Sequence, residues 1–125
     1  MTWSINYDSE LGIIRCVYAG RVTADDFKEG TKKTILLTQK FKTKLILIDD
    51  SKLEYAVGTS EILEMPKYYH DWGGGQRPKI ALVLPPSGKI REDVIFYETV
   101  CRNRHWRIKG FNEHQEAIDW LLRIP

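Results

Sequence analysis

Four consecutive aliphatic residues, Leu45-Ile46-Leu47-Ile48, run directly into Asp49-Asp50-Ser51, and a helix start follows near Thr59-Ser60. An aliphatic run of this kind, with no polar residue alternating through it, predicts a strand covered on both faces. Such strands belong to parallel sheets flanked by helices. The acidic turn expected at its C-terminal end lies where open α/β sheets gather their ligand and partner sites. Asp49 and Asp50 are therefore the first candidate binding residues.

The flanking segments extend this pattern. Trp3, Ile5 and Tyr7 alternate with polar residues, and Ile13 to Tyr18 forms a second strand after the short Asp8-Ser9-Glu10 connection. A connection that short joins antiparallel strands, because parallel pairs need a long crossover. Thr23 is placed as an N-cap with Asp25 and Asp26 in the first turn of a helix reaching about Gln39. Lys52 to Gly58 reads as a loop, and Thr59 or Ser60 caps the next helix, which Pro66 kinks or restarts. Lys79 to Leu84 is another buried strand. Arg91 to about Arg104 is a helix with Val94, Tyr97 and Cys101 inward and Phe96 and Val100 flanking. Trp106-Arg107-Ile108 is a last strand, and Asn112 caps a final helix with Ala117, Ile118, Leu121 and Leu122 inward. The order is β-β-α-β-α-β-α-β-α, an α/β chain with an antiparallel hairpin followed by parallel strands. Sequential strand addition with right-handed crossovers places the helices largely on one face of the sheet. No repeat, linker or low-complexity tract divides residues 1–125, so one domain is expected.

Composition removes several classes of function. A net charge of +2 from 19 basic and 17 acidic residues gives no global field for a polyanion, and this argues against nucleic acid. The densest basic stretch, Arg102 to Lys109 around Trp106, is divided between a helix end and a strand. No apolar run approaches the ~18 residues of a membrane span, and no leader pattern opens the chain, so a cytoplasmic protein is expected. Cys16 and Cys101 have no metal-ligand spacing and read as reduced, buried thiols. His70, His105 and His114 form no metal motif, and no nucleophile elbow accompanies them. Gly73-Gly74-Gly75 follows a helix and precedes a strand, the reverse of a phosphate loop. No catalytic set, metal site or cofactor site is expected. The remaining candidates are aromatic: Tyr68, Tyr69 and Trp72 beside Pro66 serve either as core or as a lid over an apolar pocket.

The motifs Ile5-Asn6-Tyr7-Asp8 with Leu11-Gly12-Ile13, Val17-Tyr18-Ala19-Gly20, Leu45 to Asp49, Ala81-Leu82-Val83, Phe96 to Val100, Arg102-Asn103-Arg104 and Glu116 to Leu121 carry a resemblance over nearly the whole chain. In these the sequence resembles the SpoIIAA-like family, bacterial proteins often described as STAS/SEC14-like and related in fold to anti-sigma-factor antagonists. The resemblance implies a non-enzymatic binding or regulatory module that works through protein contacts and self-association. Its alternative is a carrier of a small apolar, lipid-like ligand. The antagonist branch phosphorylates a serine at the start of its second helix. Here Gly58 falls at that place, and Thr59 and Ser60 beside it are the phosphorylation candidates. Homodimerisation is expected through the less covered sheet face or the aromatic helix. Asp49, Asp50, Thr59, Ser60, Tyr68, Tyr69 and Trp72 form the candidate binding set.

Overall fold

The computed structural model describes residues 3–55, 64, 67 and 77–123. Five strands form one sheet in the order β1-β2-β3-β4-β5: Trp3–Asp8, Ile13–Arg21, Leu45–Tyr55, Lys79–Val83 and Arg107–Phe111. β1 and β2 are antiparallel, and every later neighbour is parallel. Three described helices accompany them, α1 (Ala24–Phe41), α2 (Gly88–Asn103) and α3 (His114–Leu122). The α/β class, the hairpin and the sequential parallel strands are as the sequence implies.

Local chemistry explains the hairpin and the first helix. Asp8 Oδ1 accepts from the amides of Glu10 and Leu11, and Gly12 closes the turn at φ +70°, a conformation costly for a residue with a Cβ. Thr23 caps α1 in a reciprocal box: its hydroxyl accepts from the Asp26 amide, and the Asp26 carboxylate accepts from the Thr23 amide. Gly30 is required inside α1 by close approach. A Cβ there would collide with the hydroxyl and ring of Tyr18 from β2.

Two apolar layers cover the sheet. On the front, α1 (Phe27, Ile35) and α2 (Val94, Tyr97, Cys101) pack on Ile5, Ile14, Cys16, Ile46, Ile48, Ile80 and Leu82. On the back, α3 packs Ala117, Ile118 and Leu121 on Ile13, Leu47, Ala81 and Val83. β3 thus alternates Ile46 and Ile48 forward with Leu47 backward, all nearly inaccessible to solvent. Each such side chain stabilises the fold by ~1.5–3 kcal/mol.

The structure revises four expectations. α3 lies on the back, because it follows the last strand and no crossover constrains its side; it covers the sheet chiefly over β3 and β4 and, among the described residues, leaves a strip of β1 and β2 around Ser4, Asn6 and Val17 exposed. β3 continues as strand through Tyr55 where a turn and loop are expected. β2 also runs on to Arg21, and two register shifts with Gly20 at φ +67° keep Ala19–Arg21 alongside Lys52–Tyr55. The last helix begins after Glu113 rather than Asn112, and Glu113 makes no side-chain cap bond. Leu122 is exposed rather than inward.

Candidate functional site

Strand geometry decides what Asp49 and Asp50 can do. Successive side chains in a strand point to opposite faces, so these neighbours do not share an acidic turn. Asp50 follows the parity of Ile46 and Ile48 and enters the front layer, where it is 6% exposed. Asp49 follows Leu47 to the back, between Val17 of β2 and Val83 of β4 in the register. Two carboxylates on opposite faces cannot grip one ion. Among the described residues no group of three acidic, histidine or cysteine ligands comes together.

The two carboxyls have opposite surroundings. Asp49 Oδ1 accepts from both the amide and the hydroxyl of Ser51, at 2.9 and 2.6 Å. These bonds hold a half-buried carboxylate in one orientation at the rim of the bare back face. Asp50 Oδ1 has no hydrogen-bond partner, the one such buried side-chain atom among the described residues. Burial, and next the charge of Asp49, push the Asp50 carboxyl up to about 8. Asp50 therefore holds a proton at neutral pH, and an unmatched polar oxygen remains within an apolar layer.

The bare strip beside Asp49 has a definite chemistry. Ser4 and Asn6 of β1 are exposed, and Val17 of β2 is 37% exposed, unusual for a valine in the interior of a sheet. Below them Arg15 joins two elements. Its Nε donates to Asp8 Oδ2 at 2.8 Å, and its Nη1 lies 3.3 Å from His114 Nε2, which accepts because a guanidinium only donates. The Arg15 hydrogen bond, followed by the Leu11 amide, lowers the Asp8 carboxyl. Arg15 thereby fixes the lower margin of the strip against the start of α3.

No thiol can serve as a nucleophile here. Cys16 and Cys101 are free and buried, as the sequence indicates. Burial raises both to about 12; the Thr34 hydroxyl partly opposes it at Cys16 and a Tyr97 hydrogen bond at Cys101. Thr59, Ser60, Tyr68, Tyr69 and Trp72 lie outside the described residues, as do His70 and the three glycines. Phe96, a marker for an apolar pocket with Tyr68 and Tyr69, is 36% exposed on α2. In the basic stretch, Arg102 is occupied by the Ile108 carbonyl and by Glu98.

Sequence reasoning missed two participants. Val17 reads as an ordinary strand residue, and only the position of α3 leaves it uncovered. Lys79 opens an aliphatic strand yet is buried, and its ammonium donates to the carbonyls of Trp120, Leu121 and Arg123 at 2.7–3.2 Å. Its parity with Ala81 and Val83 was the available signal, pointing it to the back face.

This strand order, with a leading hairpin and two crossover helices on one face, is found in solved structures. An uncharacterised protein of the DUF3478 family from Shewanella loihica PV-4, described as having a SpoIIAA-like fold, matches with a TM-score of 0.58 and 18% identity, over 95% of this chain and 91% of that one. The anti-sigma factor antagonist SpoIIAA in its unphosphorylated form matches with a TM-score of 0.58 and 14% identity, over 98% and 99%. The fold is SpoIIAA-like. No family model matches the sequence. No curated protein matches it either. In this SpoIIAA-like frame, Asp49 and Asp50 stand at the middle of the central strand, with Asp49 level with the C-terminal end of β4 at Val83. Among the described residues no helix is long and apolar enough to cross a membrane.

Proposed function

We propose that this chain is a non-enzymatic regulatory module that binds a protein partner across the bare back strip and the adjoining end of β3. The observation carrying this reading is Asp49, locked by Ser51 at the rim of an uncovered strip beside the exposed Val17. A pre-oriented carboxylate next to an exposed aliphatic side chain pairs one directional contact with one apolar contact, as specific interfaces do. The preferred partner presents a basic or amide donor beside an apolar side chain. The SpoIIAA-like fold supports the reading, since one of its matched structures is named as an antagonist of an anti-sigma factor.

Native mass spectrometry on gently purified protein from its own cells tests this. A protein complex is expected with the unaltered chain and is lost in Val17→Glu and in Asp49→Lys, while Lys32→Glu on the outer side of α1 keeps it. Equal recovery with all three variants contradicts the reading.

A second reading, a carrier of a small apolar ligand, is favoured by the unmatched Asp50 Oδ1 within the apolar front layer. It requires a ligand with a single polar group that reaches that oxygen. A co-purified small mass, absent in Asp50→Leu, would select it over the partner-binding module.

A further inference from the structure

The two outer edges of the sheet differ. Strand β5 is sealed by α2: Glu98 accepts from the Gly110 amide at 3.0 Å, and Arg102 donates to the Ile108 carbonyl at 3.0 Å. Arg107 and Lys109 add exposed charge to the same edge. From Trp3 to Tyr7, strand β1 has none of these protections among the described residues. Among the described residues nothing bonds its outer backbone groups, its pairing with β2 carries no bulge, and Trp3 to Tyr7 contains neither charge nor proline. Natural edge strands are normally blunted by lysine, proline, bulges or covering side chains. An unblunted edge is a template for another strand.

The sequence of β1 indicates which strand. Opposed residues in an antiparallel pair share a face, so a two-fold axis through Ile5 pairs Ile5 with Ile5, Trp3 with Tyr7 and Ser4 with Asn6. Both faces are then self-complementary: apolar and aromatic residues meet on the front, hydroxyl meets amide on the back. Phe41 strengthens the match. Its ring stacks on Tyr7 at 3.9 Å while remaining 38% exposed, so an aromatic surface waits where Trp3 of a second copy would arrive. Cross-strand aromatic pairs are among the stabilising contacts of sheets.

We infer that β1 pairs with β1 of a second copy of this chain, joining two five-stranded sheets into one continuous ten-stranded sheet. The seam is the strand edge, not the sheet face or the aromatic helix. The inference does not rest on the partner-binding reading, because it uses backbone groups of β1 rather than Asp49 or Val17. Six-residue edges bury less than the ~1,200 Å² of a standard stable interface, so the dimer is weak and concentration-dependent.

Sedimentation velocity over a concentration series is the test, with two double variants at the exposed positions. Ser4→Lys with Asn6→Lys sets like charges opposite each other twice across the axis and weakens association by roughly tenfold. Ser4→Lys with Asn6→Glu sets opposite charges together in the proposed register and restores it. Circular dichroism of both variants matching the unaltered chain shows that the hairpin persists. A monomer at every concentration, a dimer indifferent to the lysine pair, or failure of the lysine–glutamate pair to restore association overturns the inference.

Discussion

Two ionisable side chains are buried on the adjacent central strands, and they are treated in opposite ways. Lys79, at the start of β4, gives its ammonium three carbonyl partners at the C-terminal end of α3 and lies 4.6 Å over the Trp120 ring. A helix end leaves carbonyls short of backbone partners, and although Trp120 O also accepts from the Arg123 amide, one lysine donates to all three and anchors α3 to the sheet. Asp50, at the middle of β3 and just past the level where β4 ends, has an oxygen with no partner and is kept protonated by burial. A saturated buried charge belongs to the architecture. An unsatisfied carboxyl weakens the fold, and this one stands toward the end of the sheet where α/β proteins place their binding sites.

The largest effect is expected at the satisfied end. Lys79→Met keeps the apolar stem but removes a donor from three carbonyls, and destabilises the protein by ~2–4 kcal/mol in urea unfolding. The contrast weakens if that variant is neutral.

Asp50 carries the next effect, of opposite sign. Its folded carboxyl titrates near 8, against a reference value of 3.8. The native state therefore retains a proton that the unfolded chain releases. Stability is present in full below about pH 4, falls by up to ~1.4 kcal/mol per pH unit as pH rises toward 8, and levels beyond it. Asp50→Leu removes that slope and gains ~1–3 kcal/mol at pH 7.5, measured by urea unfolding across pH.

Smaller changes sharpen the comparison. Thr34 is buried, donates to the Gly30 carbonyl at 2.8 Å and lies 3.4 Å from Cys16 Sγ. Thr34→Val costs ~1 kcal/mol, because its polar group, like that of Lys79, is satisfied. Asp49→Asn changes stability by less than ~1 kcal/mol, since an amide oxygen still accepts from Ser51. Its effect should appear in partner recovery instead.

These particulars also show what could be read from the sequence. The hairpin and α1 were legible because Asp8, Gly12, Thr23 and Asp26 act within a few residues of themselves. The sequential parallel strands were legible because the aliphatic runs at Leu45–Ile48 and Lys79–Leu84 need cover on both faces. The divergence of Asp49 and Asp50 was not legible. It depends on β3 continuing as strand, which depends on β2 shifting register around Gly20, a pairing between distant segments. The role of Lys79 was hidden for the same reason, because its acceptors lie more than 40 residues along the chain. The sequence shows two adjacent acidic residues, and only the pleat of β3 shows that one carboxyl is half-exposed and the other enters the core.

The central claim is that Asp50 is a protonated, unpartnered carboxyl held inside the front layer. Carbon-13 NMR of the aspartate side-chain carboxyls, followed from pH 4 to 9 and assigned by the loss of one resonance in Asp50→Leu, tests it most directly. The account predicts a carboxyl carbon that shifts with a midpoint near pH 8. A resonance already in its ionised position at pH 5 would mean that Asp50 is solvated or paired, and the contrast with Lys79 would fall.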